Sequence, residues 1–123
     1  MSVQFKSFES LNSWQLARNF KNEIYHLTNN FPKNESFVLT QQLRRAVIPV
    51  TANIAEGYGR YSYQENIQFC RMARGSLLES LDHLYTALDQ KYISQQEFDR
   101  LYSQGREVEK CLNSYIKFLT NQR

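Results

Sequence analysis

Apolar residues return along this chain at steps of three and four, in four separate runs. From about Phe8 to Asn30, the residues Leu11, Trp14, Ala17, Phe20, Ile24 and Leu27 form one stripe, and Pro32 in "NNFP" stops it. From about Ser36 to Glu56 the stripe is Leu39, Leu43, Val47, Val50 and Ile54. Pro49 falls inside this run and removes one backbone donor. The apolar phase holds across it, which predicts one kinked helix and not two. The third stripe is Ile67, Cys70, Arg74, Leu77, Leu81, Leu84 and Leu88. The fourth is Phe98, Leu101, Gly105, Val108, Leu112, Tyr115 and Leu119. A Ser-x-x-Glu pattern opens each of the last two, Ser62 with Glu65 and Ser94 with Glu97, and predicts a capping box at both starts.

Heptads joined by short connections imply antiparallel neighbours, so the expected fold is all-α, an up-down-up-down four-helix bundle. No alternating run is long enough for a strand. At 123 residues the chain reads as one domain, residues 1–123. It is 41% hydrophobic and 22% charged, the balance of a soluble chain that buries a core without disulfides or metals. Cys70 and Cys111 both lie in helical patterns and read as reduced core thiols or as a bridge between neighbouring helices. Neither has the companions of a zinc set, and no metal or cofactor is expected. No apolar run approaches ~18 residues and "MSVQFKSFESLNSW" has no apolar signal core, so the expected location is the cytoplasm, away from the membrane.

Two of the four glycines, Gly57 and Gly59, stand in "EGYGRYS", between the second and third helices. Turn chemistry accounts for both: Gly57 as a left-handed residue ending helix two, Gly59 as a second permissive backbone position. The other reading is an anion site, with helix amides and Arg60 facing a phosphate. Glu56 and Glu65 compete for the same groups. Tyr58, Tyr61 and Tyr63 cluster at this connection, where aromatic rings beside a cation either stack on unpaired bases or pack at helix ends or between subunits.

Net charge is +3, and it is concentrated. Between Arg44 and Arg74 the only charged residues are Arg44, Arg45, Arg60, Arg71, Arg74, Glu56 and Glu65, while acids and bases cancel elsewhere. With the connection centred near residue 59, Arg74 comes opposite Arg45. Arg44, Arg45, Arg71 and Arg74 are then expected in one belt, satisfied either by acids of the chain or by phosphates. Arg74 is the charged residue of the third stripe. It is expected to be mostly buried and ion-paired, with Glu23 first and Glu107 and Glu109 as further candidates, fixing helix register, while Arg44, Arg45, Arg60 and Arg71 face an anionic ligand.

The segments "LTQQLRRA" (39–46), "NIAEGYGRYS" (53–62) and "ARGSLLESLDHL" (73–84), with "WQLARNFKNEIYHLTNNFP" (14–32), resemble the four-helix-bundle proteins encoded in intervening sequences of bacterial 23S ribosomal RNA genes. These are sometimes labelled S23 ribosomal proteins. The resemblance covers nearly the whole chain, with one departure at Pro49, where the family often has serine. It implies a bundle assembled as a homopentameric ring, and a likeness to the accessory bundle proteins of diversity-generating retroelements. It brings no catalytic residues. His26 and His83 are isolated, and no inward pair of Glu-x-x-His motifs marks a di-iron bundle. The function expected is therefore non-enzymatic: an oligomer binding RNA or another nucleic acid through the arginine belt. The alternative is an assembly module that recruits a protein partner, with the arginines satisfied internally.

Overall fold

The computed structural model describes residues 7–33 and 36–122. A short 3-10 turn, Phe8–Ser10, leads into four helices: α1 Asn12–Asn29, α2 Phe37–Tyr58, α3 Tyr63–Asp89 and α4 Gln95–Thr120. No strand occurs among the described residues. Each helix packs against the next, and α1 closes on α4, so the four form a bundle around a single core. Contacting pairs show the sense of the neighbours. Lys21 bonds Thr51 while Arg44 bonds Thr28, Glu23 meets Arg100 while the Phe20 ring stands against Gly105, and Asn66 bonds Tyr115 while Arg74 bonds Asn113. In every such pair one number rises as the other falls, the mark of antiparallel packing.

The stripes supply the core. Phe20, Ile24, Leu43, Val47, Val50, Ile54, Leu77, Leu84, Leu101, Val108 and Leu112 are all essentially inaccessible to water. Burial of such side chains stabilises by about 1.5–3 kcal/mol each, which holds the helices at one spacing and makes side-chain phase decide what faces outward. α2 runs unbroken through Pro49. The first run divides at Leu11, whose extended backbone (φ −74°, ψ 127°) separates the 3-10 turn from α1.

The structure corrects three local expectations. Gly57 does not end α2 in the left-handed region: no glycine has positive φ, and Gly57 lies inside α2, buried. A Cβ there would stand 2.7 Å from Asn66 Oδ1 and 2.9 Å from Phe69 Cβ. Gly57 is required for close approach of α2 to α3 at the end where they are joined, and Gly59 is the C-cap residue, right-handed at φ −78°. The capping boxes also differ. Ser94 and Glu97 complete the reciprocal pair at α4, whereas at α3 only the Ser62 hydroxyl accepts from the Glu65 amide. The Glu65 carboxylate turns instead towards the Ser62 hydroxyl and, at 3.9 Å, Arg60.

The third correction concerns Arg74, which is not in the core. Ala73 takes that position, fully buried, and Arg74 lies half-buried at the edge. Cys70 to Leu77 is one heptad whether divided four-then-three or three-then-four, so periodicity alone could not choose. Desolvation chooses: an unpaired guanidinium in the core costs far more than an alanine methyl.

Candidate nucleic-acid interface

Arg44 is held by α1. Its Nε donates to Thr28 Oγ1 at 2.9 Å and a terminal nitrogen to Asn29 Oδ1 at 2.8 Å, while the guanidinium lies 4.6 Å from the Tyr25 ring centroid. Thr28 is itself buried, and its hydroxyl donates a hydrogen bond to the Ile24 carbonyl. This arginine joins α1 to α2 through two of its five donors, and it shares with Arg45 the lining of the hollow between them. Arg45, one residue on, points to solvent. It borders a hollow of about 600 Å³ with Lys33, Phe37, Gln41 and Ile48.

Arg60 is also committed within the chain. It pairs with Glu56 at 2.8 Å and packs over the Phe69 ring. An anion at this connection would have to displace the carboxylate.

Arg71 and Arg74 lie on the other side of the molecule, against α4. Arg74 donates to Asn113 Oδ1 at 2.8 Å and forms no ion pair among the described residues. Glu23, its expected partner, pairs with Arg100 of α4 at 2.6 Å. Glu23 lies on α1, diagonally across the core from α3, and the two helices do not touch. The expected belt is split for the same reason. Gly57 stands against Asn66 and Phe69, so Arg74 comes level with Pro49 and the residues just after it, roughly one to two helical turns from Arg45. Helical phase then turns Arg44 towards α1 and Arg74 towards α4.

What gathers around Arg71 and Arg74 instead is the outer face of α4. Arg106, Lys110 and Lys117 lie on one side of that helix with Asn113 and Ser114, lining a shallow hollow of about 440 Å³. Arg71 lines a second one with Glu65, Gln68 and Thr120, the last from the end of α4. The Arg74–Asn113 bond and the Tyr85–Tyr102 contact fix the register, which sets Lys117 level with Cys70 and Arg71. The α3–α4 seam therefore carries Arg71, Arg74, Arg106, Lys110 and Lys117. Among the described residues only Arg106 has an acid, Glu109, together with the Tyr102 hydroxyl; both, Glu109 first, favour its charged form. The α4 cations were missed in the sequence because they cancel against Glu107, Glu109 and Asp99 in a linear count. A helical projection, which places 106, 110, 113 and 117 on one side, would have found them.

At the end of the bundle where α2 joins α3, aromatic residues surround a further hollow of about 360 Å³. Tyr58, Tyr61 and Tyr63 come from the connection, Tyr115 and Phe118 from α4, and Leu11 from the start of α1. Tyr61 is fully exposed, and Phe118 is exposed by 56%. Tyr115 is half-buried, accepts from Asn66, and has its phenol pKa raised by burial.

Little else offers chemistry. Burial pushes the Cys70 thiol up to about 11, so it is protonated near neutral pH, and both cysteines are free. No group of three or more His, Cys, Asp or Glu among the described residues is placed to hold a metal ion. No described helix is long and apolar enough to cross a membrane.

Comparison with known proteins agrees with the bundle. Residues 9–114 match the family model described as 23S rRNA-intervening sequence protein. No curated protein matches the chain. Among solved structures, a protein of unknown function from the S23 ribosomal protein family of Bacteroides thetaiotaomicron VPI-5482 superposes with a TM-score of 0.79. The two are 23% identical, over 85% of this chain and 98% of that one, a likeness of fold.

Proposed function

This chain belongs to the 23S rRNA-intervening sequence protein family, and from that premise we propose that it is a non-enzymatic, oligomeric RNA-binding protein of the cytoplasm whose α3–α4 seam holds the phosphate backbone. One observation carries the reading. Arg71, Arg74, Lys110 and Lys117 share a seam and have no acidic partner within ion-pair distance among the described residues. Arg71, Arg74, Arg106, Lys110 and Lys117 outnumber the two acids that line the seam's hollows, Glu65 and Glu109, and such an excess of positive charge favours a polyanion, each phosphate neutralised releasing counterions. From Arg106 to Lys117 the seam runs along roughly 16 Å of helix at ~1.5 Å per residue, long enough for successive phosphates of one strand. Arg45 and Lys33, on the opposite side, form a smaller second basic surface.

Assembly into a ring of five would repeat the seam and add its charge. Phe37, Val38 and Ile48, exposed along α2, are apolar side chains such an assembly would cover. The same exposed side chains favour the alternative reading, a module that recruits a protein partner through α2. Light scattering tests the assembly: a mass near five chains is expected, and a monodisperse monomer removes the argument from repetition. Fluorescence anisotropy with a labelled RNA of about 20 nucleotides tests the function. The triple variant Arg71→Glu, Lys110→Glu, Lys117→Glu should keep its helical circular dichroism and lose binding. Unchanged affinity in that variant would show that the seam is not the binding surface.

A further inference from the structure

We infer that the aromatic end of the bundle is a stacking platform for unpaired bases, so that the nucleic acid carried by the seam is a single strand. The inference rests on the seam as the backbone site and adds the part of the ligand that backbone contacts do not select.

The seam and the platform meet on the last turns of α4. Lys117 faces the seam while its neighbour Phe118, exposed by 56%, faces the platform with Tyr115. Arg71 comes to the same end from α3. A strand whose phosphates follow Lys110, Lys117 and Arg71 is thereby delivered to the rings. Tyr61, fully exposed, offers its ring to solvent at the rim, and Tyr58 and Tyr63 are both well exposed beside it. Base faces stack on such rings whatever the base, because every base presents a π-face. Two acids lie nearby, and Arg60 and Arg71 offset them, the second by sharing a hollow with Glu65. Glu56 is paired with Arg60, and Glu65 accepts from Ser62 and lies 3.9 Å from Arg60. A base-paired duplex keeps its bases stacked on each other and can use only the seam. Continuity with a seam whose cations outnumber its acids, Glu65 and Glu109, is what favours a nucleic-acid strand here over a second copy of the chain.

Three probes of equal length separate the contributions: a labelled 12-nucleotide oligoadenylate, its abasic counterpart with the same phosphates, and a blunt-ended RNA duplex. The wild type should bind the oligoadenylate tightest. The double variant Tyr61→Ala, Phe118→Ala should lose roughly tenfold or more for that probe, with the salt slope and the abasic affinity unchanged. Tyr61→Trp should keep the affinity and show new fluorescence quenched on binding. Equal affinities of the wild type for all three probes would overturn the platform, as would a double variant that binds oligoadenylate like the wild type. A fall in assembled mass in the double variant would overturn it too, by making the rings a subunit interface. The two readings fail separately. Loss of binding in the seam variant with no effect of the ring variant leaves the seam standing and removes the platform, and the reverse pattern does the opposite.

Discussion

Arg44 with Arg45, and Arg71 with Arg74, belong to one arginine-rich stretch of sequence, yet the fold places them on opposite flanks under opposite conditions. On the α1–α2 flank, Arg44 is absorbed by Thr28, Asn29 and the Tyr25 ring. On the α3–α4 flank, Arg71 stays free, and Lys110 and Lys117 join it from a helix whose charges sum to nothing along the sequence. Charge density along a chain is therefore a poor guide to charge density on its surface. Helical phase and register redistribute it, separating neighbours and gathering distant residues. Arg44 serves cohesion between α1 and α2, while Arg45 beside it and Arg71, Lys110 and Lys117 across the bundle stay available.

This contrast depends first on α2 and α3 remaining in close contact, since their relative position sends Arg44 and Arg74 to different neighbours. The largest effect should therefore come from Gly57→Ala. The added Cβ would meet Phe69 Cβ and the Asn66 side chain well inside contact distance, close to the backbone of α3. Overpacking of this kind costs up to about 3 kcal/mol, measured as a lower midpoint in urea. Gly59→Ala, with backbone already in the right-handed region and only ordinary contacts, should be neutral or stabilising by up to about 1 kcal/mol. Equal losses in both would mean that the connection, and not the helix contact, sets the limit.

The next largest effect tests the absorbed flank. Arg44→Ala removes two hydrogen bonds and a ring contact from partly buried ground, and should cost about 2 kcal/mol. RNA affinity measured on the folded variant should hardly change. A stable variant with weakened RNA binding would erase the distinction between the flanks.

The open flank responds in the other observable. Lys110→Ala with Lys117→Ala should leave stability within about 0.5 kcal/mol. The salt dependence of RNA binding should flatten by roughly 1.4 in log–log slope, two contacts at ~0.7 each for a single strand. An unchanged slope with weaker binding would mean that these lysines act through something other than phosphates.

How much of this could be read beforehand follows the same line between period and phase. The four helices were legible because their stripes rest on large side chains such as Phe20, Ile24, Leu77 and Leu112, whose burial dominates the folding free energy. Ser94 with Glu97 was legible because a capping box is local. Gly57 was misread because the local reason for a glycine, a turn, and the distant one, a neighbouring helix at Asn66 and Phe69, leave the same letter. Arg44 and Arg71 carry nothing in sequence to tell a committed guanidinium from a free one. That depends on Thr28 and Asn29 lying beside the first, while the second shares its hollow with Glu65 without reaching ion-pair distance.

Arg74 gives the smallest and sharpest test, because it stands between the two conditions. As the buried partner of Glu23 it would have cost about 3 kcal/mol or more to remove. In the structure it is half-buried, with one hydrogen bond to the exposed Asn113 and no acid. Arg74→Ala should then cost no more than about 1 kcal/mol, the scale of a single hydrogen bond with water on one side. Asn113→Ala should cost no more than that, and the double variant no more than the larger single loss, since both remove the same bond. Glu23→Gln should be independent of Arg74→Ala and coupled to Arg100→Ala, by no more than about 1 kcal/mol for so exposed a pair. In binding, Arg74→Ala should flatten the salt slope by about 0.7 if the guanidinium turns from Asn113 to a phosphate. A large stability loss with no change of slope would put Arg74 with Arg44 as a cohesive residue and shorten the seam by its middle member. A small loss with a flatter slope keeps it with Arg71, Lys110 and Lys117.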